Sequence, residues 1–206
     1  MPVQACTADE LASQCGSADH QGVCAEVSDF AYVPVEKLLD RGDPGVGGGG
    51  PPLGRGDPLV VALDQVQDPQ NLGSICRTAE CAGAAGIVLP ERRSADVTPA
   101  VCKASAGAVE HLPVARVRNL TDFLHQAKAS GAWCYGADAG AELSYEDVDW
   151  TGSVVLVLGS EGRGIRPRVA AACDALVSVP LRGRIESLSV SAAAAVLLYA
   201  VARRST

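Results

Sequence analysis

The chain has 206 residues, of which 48% are hydrophobic and 20% are charged, a composition typical of a folded protein and not of a disordered one. No apolar run reaches the roughly 18 residues of a membrane span, and the N-terminus lacks the basic start and apolar stretch of a secretory signal. The net charge of -7 argues against a nucleic-acid binder that relies on overall charge alone.

Three regions follow one another along the chain. Residues 1–41 are acidic and too few to fold alone without disulfides or a metal, so they predict an arm, a partner-binding element or the remnant of a larger domain. Residues 42–57 contain four consecutive glycines and a Pro-Pro pair, which predict a flexible linker. Residues 58–206 are then expected to form the main domain.

Apolar runs and helical patterns alternate through this main domain. Strands are expected at residues 59–63, 86–89, 112–117, 132–135, 154–158 and 175–179. Helices are expected at 71–81, from Thr98-Pro99 onward, at 120–129, shortly after 165, and at 188–202, with Asn71 and Ser187 as caps of the first and last. Because the strands are continuously apolar, the pattern predicts an α/β fold, a parallel sheet covered by helices on both faces.

The eight cysteines include no C-x-x-C pair, and no secretion signal precedes them. They are therefore expected to be small buried apolar residues in a reducing cytoplasm. The usual ligand spacing of a structural zinc site is missing, so no metal is expected.

Basic charge is concentrated in one part of the sequence. Five arginines stand between Gly159 and Arg184, against the two acids Glu161 and Asp174. Charge alone favours a solvated face for this cluster, and a phosphate-binding surface is the alternative.

Three loops follow predicted strands at the ends where ligands bind in open α/β sheets. Residues 63–80 read LDQVQDPQNLGSICRTAE, residues 154–165 read VVLVLGSEGRGI, and residues 179–195 read VPLRGRIESLSVSAAAA. The second loop lacks the GK[ST] ending of a P-loop. No histidine or G-x-S-x-G elbow accompanies the serines of the third loop, which disfavours serine-hydrolase chemistry.

Taken in this order, the three loops resemble the signature motifs of the SpoU/TrmH family of RNA 2′-O-ribose methyltransferases, in the SPOUT superfamily. The first motif is matched by Leu63, Asp64, Val66, Asp68, Pro69, Asn71, Gly73, Ile75, Arg77, Thr78 and Ala79. The second is matched by Leu156, Leu158, Gly159, Glu161, Gly162, Gly164 and Ile165. The third is matched by Pro180, Gly183, Ser187, Leu188, Val190, Ser191, Ala193 and Ala194.

A further likeness lies upstream, at His20-Gln21-Gly22-Val23. This segment resembles the entry to the catalytic domain in the bacterial 23S rRNA guanosine-2′-O-methyltransferase subgroup, where an RNA-binding domain precedes it. Only 19 residues stand before His20, so most of that domain is expected to be absent here.

The resemblance implies S-adenosylmethionine as cofactor, RNA as partner, a homodimer and a C-terminal trefoil knot, an exception to the rule against knots. By position, Arg77 is the implied catalytic arginine, supported by Asn71 and Glu161. The implied cofactor-binding residues are Leu158, Gly159, Val179, Leu181, Ser187 and Leu188. The implied contacts to RNA phosphates are Arg77, Arg163, Arg166, Arg182 and Arg184.

One departure concerns Ser189, which stands at a catalytic position where the family has asparagine. A hydroxyl offers fewer hydrogen bonds than an amide and reaches less far, so activity could be reduced. The leading hypothesis is methylation of a guanosine in 23S rRNA. The alternatives are the same chemistry on tRNA or another rRNA site, and a catalytically weak RNA- or cofactor-binding protein.

Overall fold

The computed structural model describes residues 3–16, 18, 20–39, 57–185 and 187–203. The chain divides into two compact units, Met1–Ala31 and Tyr32–Thr206. In the first unit, helix α1 (Ala8–Cys15) begins at Thr7, whose side chain accepts a hydrogen bond from the Glu10 backbone. The Glu10 carboxylate accepts one in return from the Thr7 backbone, which completes a capping box.

The second unit is built on six parallel strands flanked by helices. The strands are β1 (Leu59–Asp64), β2 (Gly86–Pro90), β3 (Val114–Val117), β4 (Trp133–Ala137), β5 (Val154–Gly159) and β6 (Ala175–Val177), in the order β3-β2-β1-β5-β4-β6. The helices are α2 (Glu36–Leu39), α3 (Pro69–Cys81), α4 (Pro99–Ala104), α5 (Leu120–Ala129), α6 (Pro167–Ala170) and α7 (Val190–Ala202), with 3-10 turns at Ala108–Glu110 and Tyr145–Asp147. This confirms the predicted α/β class. Within the described ranges, no helix is long and apolar enough to cross a membrane.

The two central strands, β1 and β5, fix the positions of the first and second motif loops. Every residue of β1 and β5 is buried, as expected for parallel strands covered on both faces. The two strands are paired in register from Leu59 opposite Val154 to Asp64 opposite Gly159. Because their carboxyl ends are level, the loops after β1 and β5 emerge side by side.

Helix α3 begins two residues earlier than predicted, and its cap is a different residue. The Asp68 carboxylate accepts hydrogen bonds from the backbone N–H groups of Gln70 and Asn71, and Pro69 occupies the first helical position. The prediction that Asn71 caps this helix was therefore wrong. Proline fixes the backbone angle that a first turn needs and has no N–H to satisfy, so it favours the earlier start.

Helix α7 begins two residues later than predicted. Ser189 is its N-cap, and the Ser189 hydroxyl accepts a hydrogen bond from the Ala192 backbone N–H at 3.2 Å. The prediction that Ser187 caps the helix was wrong. Several serines in succession each offer a capping hydroxyl, and the sequence alone does not distinguish between them.

The segment Tyr32–Leu39 belongs to the second unit. The Val33 backbone N–H donates to the Val114 carbonyl at 2.9 Å, and Val33 forms a parallel bridge with Ala115. Leu38 is buried and lies against Gly86. The boundary between the two units thus falls before Tyr32, inside the predicted arm, while the predicted linker up to residue 56 lies outside the described residues.

The cysteines are less buried than expected. All eight are free thiols; Cys76 and Cys134 are buried, whereas Cys15, Cys24 and Cys81 are exposed. The expectation of general burial was therefore wrong. Burial raises the pKa of the Cys76 and Cys134 thiols to about 12, so these two thiols remain protonated at neutral pH.

Candidate active site

A pocket of about 350 Å³ opens at the carboxyl edge of β4, β5 and β6, a volume in the range of small-molecule sites. Its walls come from the loops after these three strands and from the first turns of α7. The lining residues are Ala137, Asp138, Ala139, Leu158, Gly159, Ser160, Glu161, Gly162, Arg163, Gly164, Val177, Val179, Leu181, Ser187, Leu188, Val190, Ala193 and Leu197.

This pocket brings the second and third motif loops together. All six residues predicted to bind the cofactor line it: Leu158, Gly159, Val179, Leu181, Ser187 and Leu188. Glu161 and Arg163, predicted for catalysis and for RNA contact, line it as well. The two loops are separated by two further elements of the chain, so only the folded structure places them in one cavity.

The glycine loop closes tightly against the end of β5. The Ser160 and Gly164 backbones exchange two hydrogen bonds, at 3.1 and 2.9 Å, and Gly164 has a φ of 64°. A Cβ atom on Gly159 would overlap the backbone of Gly164. Glycine is required at both positions, the first for close approach and the second for its left-handed backbone.

An ion pair between a buried carboxylate and a partly exposed arginine joins this loop to the end of β1. The Asp64 carboxylate is fully buried and accepts hydrogen bonds from the Arg166 backbone N–H at 2.8 Å and from Arg166 Nε at 2.8 Å. A second guanidinium nitrogen of Arg166 lies 2.7 Å from the same carboxylate. This guanidinium neutralises Asp64, which gives Arg166 a structural role, and the contact of Arg166 with RNA phosphates stays a prediction.

The first motif loop follows β1, the strand paired with β5, and therefore lies beside the pocket. The Asn71 side-chain amide donates to the Asp68 carboxylate at 3.0 Å, which holds that amide in place. Arg77 is exposed on α3 and forms no ion pair with any described residue. Neither Asn71 nor Arg77 is among the described lining residues, so a single chain does not place them inside the pocket.

The remaining predicted residues lie at the start of α7 and in the loop before it. Ser189 is exposed and caps α7, between the pocket-lining residues Leu188 and Val190. Its hydroxyl lies 3.2 Å from that of Ser191. Arg182 and Arg184 are exposed and, like Arg77, have no ion-pair partner in the described part of the chain.

Sequence reasoning missed the wall that follows β4. Ala137, Asp138 and Ala139 line the pocket, and the Asp138 backbone N–H donates to the Val177 carbonyl at 2.9 Å. The Asp138 carboxylate accepts from the Gly140 backbone N–H at 2.8 Å. The only signal was the turn-like GADAG sequence after an apolar run, which has no motif of its own.

The ion pair between Asp64 and Arg166 allows a testable prediction about stability. Arg166→Ala leaves the Asp64 carboxylate buried without its charged partner, and we expect a loss of about 3–5 kcal/mol in the free energy of unfolding. The control is Arg168→Ala, an exposed arginine two residues away, with an expected change within about 0.5 kcal/mol. Urea denaturation measures both, and equal losses for the two variants would contradict the account.

The sequence of this chain is similar to those of one known protein family. The chain matches the family model described as SpoU rRNA Methylase over residues 58–199. It is 40% identical over 188 residues to the Bacillus subtilis (strain 168) protein YacO, which carries a TrmH family tRNA/rRNA methyltransferase name; the alignment covers 91% of this chain and 72% of that protein.

Two solved structures share the fold. One is the SpoU methyltransferase AviRb from Streptomyces viridochromogenes in complex with AdoMet, with a TM-score of 0.67 and 32% identity, over 73% of this chain and 62% of that one. The other is described as an RNA 2′-O ribose methyltransferase, with a TM-score of 0.66 and 28% identity, over 72% and 57%. This chain therefore spans less than two thirds of either solved chain. On the extent of the family match, the chain belongs to the SpoU rRNA methylase family.

Proposed function

We propose that this chain transfers a methyl group from S-adenosylmethionine to a ribose 2′-hydroxyl of RNA. The observation that carries the proposal is the pocket, where two of the three motif loops meet beside the third. The AdoMet complex of AviRb and the 2′-O ribose methyltransferase structure support the cofactor and the reaction.

The pocket residues fit this cofactor. Leu181 and Leu188 are 38% and 44% exposed, and a bound adenine ring would cover both. Glu161 and Asp138 are among the residues that line the same cavity, and their negative charge suits a ligand with positive charge. S-adenosylmethionine, when bound, supplies an electrophilic methyl group on a positively charged sulfur.

The chain's contribution on the RNA side comes from α3. A ribose hydroxyl is a poor nucleophile, so it must be oriented and must lose its proton as the reaction proceeds. Arg77 would hold the target phosphate and the 2′-oxygen in a forked contact. Asn71, whose amide is held by Asp68, would position the ribose. Arg163, Arg182 and Arg184 would contact neighbouring phosphates.

The substrate we propose first is a guanosine of 23S rRNA, on the likeness of the segment 20–23 to that subgroup. Methylation of tRNA or of another rRNA site is the second candidate, since the name of the Bacillus subtilis relative includes both RNA classes. A cytoplasmic location and the C-terminal knot remain parts of the proposal.

We also propose that the chain acts as a homodimer. Tyr199 is 50% exposed on helix α7, whose residues are apolar apart from Ser191 and Tyr199. This helix offers a suitable surface for a second copy. Arg77 lies outside the single-chain pocket, and an interface at α7 would bring a second chain close to the pocket mouth. The resemblance carries the same implication.

Arg77→Ala tests the proposed reaction. Transfer of labelled methyl from S-adenosylmethionine to total rRNA and total tRNA is compared for the wild type, for Arg77→Ala and for Arg203→Ala as an exposed-arginine control. We expect labelling by the wild type and the control, and a loss of about 100-fold or more in Arg77→Ala. Equal labelling by all three proteins would remove Arg77 from the mechanism, and no labelling by the wild type would contradict the proposed activity.

Ser189→Asn tests whether the serine limits turnover. Asparagine is as good an N-cap as serine, so the midpoint of thermal unfolding should not change. The additional hydrogen bond of an amide should raise turnover roughly 2- to 10-fold. Unchanged turnover in a variant of unchanged stability would show that Ser189 does not limit the reaction.

A further inference from the structure

We infer that the loop of residues 91–97, together with Arg118, is a second RNA-binding element, which contacts backbone phosphates flanking the target nucleotide. This inference rests on the proposed function and extends it to residues outside the three motifs. The side chains that would bind are those of Arg92, Arg93 and Arg118.

The sheet places this element on the same edge as the site. β2 pairs with β1 and with β3, and all three run parallel, so their carboxyl ends lie together. Pro90 is level with Val117, so loop 91–97 and Arg118 leave the sheet side by side. Neighbouring strands are about 4.8 Å apart, which puts the end of β3 roughly 10 Å from the end of β1. The cofactor pocket lies on the other side of β1.

The loop is bonded directly to the first motif loop. The Ala95 backbone N–H donates to the Val66 carbonyl at 2.9 Å, and the Ser94 hydroxyl lies 3.5 Å from the same oxygen. Val66 precedes the Asp68 cap of α3, the helix that carries Asn71 and Arg77. The position of loop 91–97 is thereby coupled to that of the proposed catalytic helix.

The far end of the loop is also fixed. The Val97 backbone N–H donates to the Tyr32 hydroxyl at 3.1 Å. The Arg116 guanidinium pairs with the Asp96 carboxylate and lies over the Tyr32 ring, 4.6 Å from its centroid. Arg116 therefore has a structural role, and it neutralises one of the two carboxylates of the loop.

Three arginines of this surface remain available. Arg92, Arg93 and Arg118 are exposed, and none forms an ion pair with a residue of the described ranges. With Arg116, they set four arginines against two carboxylates, Glu91 and Asp96, in residues 91–97 and 116–118. A row of guanidinium groups along the edge beside the site suits the phosphates of an RNA strand.

The backbone of Arg93 indicates that its side chain is not there for the fold. Arg93 has a φ of 60°, and Gln65, in the loop to which it is bonded, has a φ of 63°. A side chain disfavours this left-handed conformation, whereas glycine adopts it freely. The Arg93 side chain is exposed and has no ion-pair partner among the described residues, so the fold does not occupy it and it is free to contact a phosphate.

The test compares two double variants with equal loss of charge. Arg92→Ala/Arg93→Ala removes the proposed phosphate contacts. Lys37→Ala/Arg203→Ala removes two exposed charges elsewhere: Lys37 adjoins Leu38, which packs at the amino end of β2, and Arg203 follows the last turn of α7. Binding of the full chain to bulk tRNA and to a 23S rRNA transcript is measured over a range of salt concentrations, and cofactor binding is measured by calorimetry.

We expect the slope of log affinity against log salt to fall by about one for each phosphate that an arginine no longer neutralises, hence by about two in Arg92→Ala/Arg93→Ala. The control variant Lys37→Ala/Arg203→Ala should keep the wild-type salt slope. Both double variants should bind the cofactor with wild-type affinity. Arg93→Gly should weaken RNA binding while its thermal midpoint equals or exceeds that of the wild type, which separates the ligand role from folding.

Two results for RNA binding would overturn the inference: wild-type affinity in Arg92→Ala/Arg93→Ala, or an equal loss of RNA affinity in Lys37→Ala/Arg203→Ala. A parallel loss of cofactor affinity in Arg92→Ala/Arg93→Ala would also overturn it. A wild-type protein that binds RNA through this loop but transfers no methyl group would contradict the proposed function and leave the RNA-binding element in place. A wild-type protein that binds neither RNA would contradict both.

Discussion

A single buried carboxylate connects the two halves of the proposed site. Asp64 ends β1, has no exposed surface, and is bonded through both oxygens to Arg166, 102 positions further along the chain. Because Asp64 lies opposite Gly159 in the sheet, this pair draws the end of the glycine loop back toward β1. One wall of the pocket and the start of the first motif loop are thus set by the same interaction. The Arg166 side chain is 44% exposed. Loss of this side chain would nevertheless lower the free energy of unfolding, because it would leave the buried Asp64 carboxylate without a charged partner.

The strand order separates two functions along one edge of the sheet. β5, β4 and β6 carry the loops that line the pocket, and the proposed cofactor side therefore lies on one side of β1. β2 and β3 lie on the other side, with the arginines of loop 91–97 and Arg118. The first motif loop follows the central strand between them, where a methyl donor and an RNA ribose would meet. An acidic chain can present a locally basic surface in this way, because Arg92, Arg93 and Arg118 lie together at this edge.

Most of the fold could be predicted from the sequence, because continuous apolar runs and turn residues mark the strands clearly. The predicted strand 154–158 differs from β5 by one residue, and the predicted helix 120–129 has the bounds of α5. The predicted cap of α3 was wrong because Pro69 begins the helix at a position that hydrophobic periodicity does not reveal. The predicted cap of α7 was wrong because several nearby serines can each cap a helix.

What could not be predicted depends on contacts between distant residues. No local pattern links Asp64 with Arg166, and the motif comparison assigned Asp64 no role. The wall formed by Ala137, Asp138 and Ala139 was missed because it belongs to the pocket only through the pairing of β4 with β5 and β6. Likewise, the contact of Tyr32 with Val97 joins a segment assigned to the N-terminal arm to a loop after β2.

The proposed acceptor of the methyl group is a ribose 2′-oxygen of RNA. The most direct measurement is alkaline hydrolysis of RNA labelled by this protein with S-adenosylmethionine, followed by separation of the products. A 2′-O-methyl group blocks cleavage of the adjacent phosphodiester bond, so we expect the label in alkali-resistant dinucleotides. Label found in mononucleotides methylated on the base would contradict it.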